Sequence, residues 1–131
     1  MNESELLAFA RSAQESAQKT YNRWQDIYDY DRAIGELHEV KRLMESVAAN
    51  HGIDLKAERF DWATAYSVKS AYLSVCLYHQ QVVHAMFLAE AKRAAKEERW
   101  DDAAEKLVVW FNDASERELH FRQDVFRFGE E

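Results

Sequence analysis

The chain has 131 residues, of which 24 are acidic and 17 are basic, so its formal net charge is −7 at pH 7. This charge disfavours a non-specific phosphate-binding surface, and we therefore expect no direct binding to nucleic acid. A single cysteine excludes an internal disulfide, and the start MNESELLAF lacks a secretory pattern, so we expect a cytoplasmic protein. The least charged stretch is interrupted by serine, histidine and glutamine, so no membrane contact is expected.

The sequence predicts an all-α protein folded as one domain over residues 1–131. It contains no proline and only three glycines, so the usual breaks between short strands are missing. Apolar residues recur at steps of three and four through most of the chain, which is the period of an α-helix with one buried face. We predict an antiparallel bundle of about four helices, approximately over residues 3–29, 31–50, 62–99 and 102–128.

The first predicted helix begins with a capping signal. Asn2 is a good N-cap residue, and Glu5 stands three positions later as its reciprocal partner. The face that we expect to be buried consists of Leu6, Ala10, Ala13, Ala17, Tyr21, Trp24 and Tyr28.

The second predicted helix has a signal at each end. Asp29 or Asp31 is expected to cap its start, and Gly52 is expected to end it in the left-handed conformation. Gly35 lies inside it and permits close packing or a bend. The face that we expect to be buried consists of Ile34, Leu37, Lys41, Met44 and Ala48.

The third predicted helix is the longest, and we expect it to be central because apolar and small residues surround it. Asp61 is its expected cap. The fourth predicted helix is capped by Asp101 or Asp102, and its inward face is expected to begin with Leu107. The face of the third helix that we expect to be buried consists of Val68, Tyr72, Val75, His79, Val82, Met86 and Ala89.

One segment across the last turn resembles a known helical hairpin. Residues 87–114, FLAEAKRAAKEERWDDAAEKLVVWFNDA, are similar to a single tetratricopeptide-type unit, with alanines at crowded positions and Trp100 at the turn. The rest of the sequence shows no repeat at the period of about 34 residues that such proteins have, and a solenoid needs about three units. We therefore interpret the resemblance as local packing and transfer no peptide-binding residues from it.

The stretch DIYDYDRAIGELH, residues 26–38, invites two chemical interpretations. As an EF-hand loop it fails, because counted from Asp29 the sixth residue is not glycine and the twelfth is not glutamate. Arg32 with His38 resembles the Arg-x5-His signature of the HEPN ribonucleases, which implies metal-independent RNA cleavage by this pair. Six residues rotate a helix by about 240° net, so we expect the two side chains on different faces and keep this activity as the alternative function.

Other groups with chemical potential are interpreted as structural. Glu116, His120 and Asp124 line one helical edge, but no ExxH pattern accompanies them, so we expect a charged surface edge and no metal. His79 is expected to be a core histidine, and its alternative is a polar pocket in a small-ligand-binding bundle. Cys76 is expected to behave as a small buried apolar residue.

The remaining signal is a cluster of aromatic and charged residues where the first helix ends. Tryptophan, tyrosine and arginine are typical of protein interfaces, and acidic neighbours select a basic partner. The alternative is that Trp24 and Tyr28 continue the buried face and only Tyr30 is exposed. The predicted interface residues are Tyr21, Trp24, Asp26, Tyr28, Asp29, Tyr30, Asp31 and Arg32.

These observations predict a non-enzymatic binding protein without a cofactor. Its expected partner is another protein with a basic surface, and a homodimer through the aromatic cluster is a further expectation. Small acidic helical proteins without catalytic motifs suit inhibitors, immunity proteins and phage or plasmid anti-defence factors, which act by occlusion.

Overall fold

The computed structural model describes residues 1–27, 29–57, 59–110 and 112, and for residues 25–27 it describes the backbone alone. This part of the chain contains four helices and no strand: α1 Glu3–Ile27, α2 Tyr30–Asn50, α3 Ala63–Lys96, and α4, described over residues 100–110. The predicted all-α bundle is confirmed, and the ends of the first three helices agree with the predicted ones to within three residues. The predicted continuation of the last helix to residue 128 lies outside the described residues.

The starts of α1 and α2 follow the capping signals in the sequence. The Asn2 side-chain oxygen accepts a hydrogen bond from the backbone N–H of Glu5 at 2.8 Å. The Asp29 carboxylate accepts one from the backbone N–H of Arg32 at 3.1 Å. Each bond satisfies an N–H group that lacks a partner within the helix, so both helices begin where their caps stand.

The start of α3 differs from the prediction. Trp62 occupies the N-cap position and makes no side-chain cap hydrogen bond, so Asp61 is not the cap. A carboxylate from another helix binds there instead, because Glu3 accepts hydrogen bonds from Trp62 Nε1 at 3.3 Å and from the hydroxyl of Thr64. The contact joins the beginnings of α1 and α3.

The ends of α2 and α3 form the same kind of turn. After α2, the N–H of Ile53 donates to the carbonyl of Ala48 at 2.8 Å, and Gly52 adopts a left-handed φ of 71°. After α3, the N–H of Arg99 donates to the carbonyl of Ala94 at 2.9 Å, and the left-handed residue is Glu98, with φ of 60°. Both are Schellman turns, but only the first has the glycine that this conformation favours.

Contacts between helices give their directions. Glu3 meets Thr64 near the start of α3 and Tyr21 meets Tyr78 further along it, so α1 and α3 run parallel. Contacts between α2 and α3 run in the opposite sense, through Glu45–Tyr72, His38–His79 and a cavity lined by both Asp31 and Met86. Each step between these pairs is seven residues on both helices. The pair is therefore antiparallel with a heptad register.

The core lies between α1, α2 and α3, and α3 packs against both of the others. Trp24 also belongs to this core. The inward faces predicted for α1, α2 and α3 are confirmed at most of the described positions, but several of their residues are only partly buried. These are Tyr21, Ile34, Lys41, Tyr72, His79, Met86 and Ala89. The largest fully buried side chains are Leu6, Leu37, Met44, Val68, Val75 and Val82.

The fourth helix packs differently from the prediction. Leu107, the expected start of its inward face, is 44% exposed, and the buried residue of α4 is Ala103. The reason is that Leu107, Val108 and Val109 are adjacent in sequence and point to different sides of the helix, so periodicity alone does not select the side that packs. Within the described residues, no helix combines the length and the apolar character that crossing a bilayer requires.

Candidate functional site

A groove lies between the first turn of α2 and the last third of α3. Its α2 side belongs to residues 26–38, the stretch with the predicted interface. Its volume is about 540 Å³. We call it the α2–α3 groove, and it is lined by Asp29, Tyr30, Asp31, Met86, Ala89, Glu90 and Arg93.

The groove combines an acidic rim with apolar side chains. Asp31 is exposed, Asp29 is exposed while it caps α2, and Glu90 is partly buried and forms an ion pair with Lys106 of α4 at 3.5 Å. Three carboxylates therefore line the groove beside one guanidinium, that of Arg93. Met86 and Ala89 supply apolar contact area, so the groove suits a cationic group on an aliphatic stem.

The predicted aromatic cluster supports this groove from the inside. The ring of Trp24 lies 5.7 Å from that of Tyr30 and 5.7 Å from that of Tyr21, and Tyr21 lies 5.1 Å from Tyr78 of α3, between ring centroids. Trp24 is only 9% exposed and is buried in the core. The core alternative therefore describes Trp24, and Tyr30 is the aromatic residue of the cluster that lines the groove, beside Asp29 and Asp31.

The buried indole of Trp24 has an unusual feature. Its Nε1 atom has no hydrogen-bond partner among the described residues. A buried N–H without an acceptor opposes folding, so this tryptophan stabilises the bundle through its ring area alone. Of the other predicted interface residues, Tyr28 and the Asp26 side chain lie outside the described part of the chain.

Arg32 is bound within a charged network between α1 and α2. Glu36 accepts hydrogen bonds from Arg32 at 3.2 Å and from Thr20 at 3.1 Å, and it also forms an ion pair with Arg23. Desolvation raises the pKa of Glu36, but the hydrogen bonds from Arg32 and Thr20 and the two positive charges outweigh it, so the pKa is lowered. Glu36 thus joins α2 to α1, and Arg32 pairs with it from the preceding turn of the same helix.

The two residues of the ribonuclease motif have different neighbours. Arg32 pairs with Glu36, whose carboxylate also contacts α1. His38 is exposed, and its ring lies 6.4 Å from the ring of His79 on α3. The structure therefore places the guanidinium and the imidazole beside different helices, as the 240° rotation predicts.

No protein-family model, curated protein or solved structure matches this chain. In the described part of the chain, no three histidine, cysteine, aspartate or glutamate side chains converge as metal ligands. The edge formed by Glu116, His120 and Asp124 lies outside that part.

A second polar cluster joins the middle of α2 to α3. The hydroxyl of Tyr72 donates a hydrogen bond to Glu45. Burial, and to a lesser extent this bond, raises the pKa of Tyr72, so the hydroxyl keeps its proton and remains a donor. Burial also raises the pKa of the Cys76 thiol, which disfavours a nucleophilic thiolate. Lys69 is buried and donates to the carbonyl of Leu55. These groups fix the helices and their connector.

The sequence identified only the α2 wall of the groove. The α3 wall, formed by Met86, Glu90 and Arg93, was not predicted as part of a site, and Met86 was predicted only as part of the inward face of α3. No local signal in the sequence finds it, because the seven-residue register that brings Asp31 and Met86 together is counted from the contact between His38 and His79, which depends on how the two helices pack.

Proposed function

We propose that this chain is a non-enzymatic binding protein that holds a basic surface of another protein in the α2–α3 groove. The observation that carries the proposal is the convergence of three carboxylates with one guanidinium around an apolar floor. The net charge of −7 supports it, because an acidic protein attracts basic partners at long range and repels nucleic acid.

The groove chemistry suits a lysine or arginine side chain. The aliphatic stem packs on Met86, whose flexible thioether adapts to different shapes. The cationic head reaches the carboxylates of Asp31 and Glu90, and the ring of Tyr30 offers an aromatic face to the same cation. Because Trp24 packs against Tyr30, that ring is positioned before binding and loses little freedom on contact.

The mode of action that fits this site is occlusion. A basic surface that is covered by an acidic protein no longer binds a phosphate backbone, which is the mode expected of inhibitors, immunity proteins and phage or plasmid anti-defence factors. A homodimer through the aromatic cluster is not supported by the burial of Trp24.

The test compares two variants with the same change of charge. Asp31→Lys reverses a charge in the groove and leaves the Asp29 cap in place, and Glu15→Lys makes the same reversal on an exposed position of α1. Each immobilised protein is exposed to a lysate of the native host, and the retained proteins are quantified by mass spectrometry. We expect a basic protein retained by the wild type and Glu15→Lys, and bound about tenfold less by Asp31→Lys. If both variants retain the same amount of the basic protein, the partner does not bind in the α2–α3 groove.

The alternative functions have no comparable support. The α2–α3 groove does not include His79, around which a small-ligand pocket was expected. Arg32 pairs with Glu36 on the side of α2 that meets α1, and His38 lies beside His79 of α3, so one phosphate would have to reach both sides of α2. We expect the purified protein and His38→Ala to leave labelled single-stranded RNA equally intact. Cleavage that disappears in His38→Ala would replace the binding proposal with a ribonuclease.

A further inference from the structure

The fourth helix presents an apolar stripe to solvent. Trp100 is 65% exposed, Val108 is 58% exposed and Leu107 is 44% exposed, and the small exposed residue Ala104 lies between them. The spacing is i, i+4, i+7, i+8, which places the four side chains within an arc of about 100°. We call this surface the α4 stripe.

The stripe is not the side by which α4 packs onto the bundle. The buried residue of α4 is Ala103, and Lys106 reaches back to Glu90 of α3. Val108 lies about 160° around the helix from Lys106 and so points away from α3. An exposed apolar stripe of helical period is the pattern by which one amphipathic helix contacts another.

The charges around the stripe select the kind of helix that fits it. Asp101 and Glu105 are exposed along one border of the stripe. The basic residues of this region are already engaged, because Arg99 pairs with Glu97 and Asp102. Lys106 likewise pairs with Glu90.

The border of the stripe is therefore acidic, and this acidity argues against an antiparallel pairing of two copies of the chain through the stripe. Two stripes paired antiparallel bring the same border of each helix together, so Asp101 and Glu105 of one copy would meet the same acids of the other. Like charges at that position are unfavourable, whereas lysine or arginine in the partner is favourable.

We propose that the α4 stripe binds an amphipathic helix of another protein whose apolar face is flanked by lysine or arginine. Trp100, Leu107 and Val108 supply the buried contact, and Ala104 allows the partner backbone to approach. Asp101 and Glu105 fix the orientation and the choice of partner. The surface is separate from the α2–α3 groove, so this inference does not depend on the proposed function.

The binding test uses two synthetic peptides of about 20 residues, a length at which an amphipathic helix forms readily on contact. They share one stripe of leucine and alanine and differ only in flanks of lysine or of glutamate. Fluorescence anisotropy of the labelled peptides is measured with the full chain. We expect the lysine-flanked peptide to bind at least about tenfold more tightly than the glutamate-flanked one.

Matched variants distinguish binding at the α4 stripe from non-specific hydrophobic binding elsewhere on the protein. Val108→Asp is expected to weaken the lysine-flanked peptide at least about tenfold, because it puts a charge into the apolar contact. Leu43→Asp makes a similar change at an exposed leucine of α2, and Asp31→Lys alters only the groove, so both should bind as the wild type does. Circular dichroism confirms that each variant is folded.

A charge reversal tests the choice of partner. Asp101→Lys combined with Glu105→Lys should reverse the order of the two peptides, so that the glutamate-flanked one binds more tightly. The proposal is overturned if the wild type does not distinguish the peptides, or if Leu43→Asp weakens binding as much as Val108→Asp. It is also overturned if the wild type sediments as a dimer that Val108→Asp dissociates, since a second copy then occupies the stripe.

Discussion

The turn after α3 provides a sharp test of the backbone geometry. Glu98 adopts the left-handed conformation there, and the equivalent turn after α2 uses Gly52. A side chain in that conformation costs about 1–2 kcal/mol, because its Cβ crowds the backbone. Replacement by glycine removes this cost. The greater freedom of glycine in the unfolded chain offsets about 0.4–1 kcal/mol of the gain. We expect Glu98→Gly to raise the free energy of unfolding by about 1 kcal/mol.

A second variant isolates the backbone effect from the charge. Glu98 is an acid just beyond the carboxyl end of α3, where the helix dipole disfavours a negative charge by about 0.3–1 kcal/mol before screening by salt. Glu98→Ala removes the charge and keeps the strained conformation, so we expect it to yield no more than about 0.3 kcal/mol at moderate salt. The difference between the two variants measures the conformation alone.

The assay is urea unfolding followed by circular dichroism, with thermal unfolding as a second measure. A gain of about 1 kcal/mol corresponds to a rise in Tm of about 3–5 °C for a domain of this size. Gly52→Ala serves as the mirror control, and because residue 52 is left-handed it should lower stability by about 1 kcal/mol. If Glu98→Ala stabilises as much as Glu98→Gly, the reasoning from backbone strain is refuted.

Three further predictions use the same unfolding measurements. Gly35→Ala should raise the free energy of unfolding by about 0.5–1 kcal/mol, since α2 is helical there and a methyl group meets nothing within 4 Å; a loss would show an unrecognised bend. Glu36→Gln should cost less than about 1 kcal/mol at pH 7. The pKa of Glu36 is lowered from 4.5, so its contribution to the free energy of unfolding is present above that pH and is lost as the pH falls through the lowered pKa. A stability difference between the wild type and Glu36→Gln that persists below the lowered pKa contradicts the charged network. Trp24→Ala should lower the free energy of unfolding by about 3–5 kcal/mol, and a loss near zero would contradict the burial of Trp24 in the core.

The sequence predicted those parts of the fold that depend on neighbouring residues. The inward faces of α1 and α2 follow from steps of three and four, and the caps at Asn2 and Asp29 act within three residues of themselves. Gly52 was identifiable because few other residues favour a left-handed φ. The left-handed conformation of Glu98 carried no such signal, because glutamate is rarely found there.

The features that the sequence did not predict depend on distant contacts. The start of α3 is set by Glu3, which lies about sixty positions earlier in the chain, so no local pattern favours Trp62 over Asp61. The orientation of α4 was undetermined because Leu107, Val108 and Val109 follow one another around the helix. The sequence placed Trp24 both on the inward face of α1 and among the predicted interface residues, and the choice between the two required the packing of all three helices.

The seven-residue register between α2 and α3 also restricts sliding. If α2 moved by one heptad along α3, Glu45 would face His79, and the partly buried hydroxyl of Tyr72 would lose its acceptor at a cost of about 1–3 kcal/mol. A purely apolar seam would tolerate that shift more easily, because one leucine-like contact replaces another. The hydrogen-bonded pair of Glu45 and Tyr72 thus fixes the register of the two helices. About 21 Å further along the helix axis, the same register holds Asp31 opposite Met86.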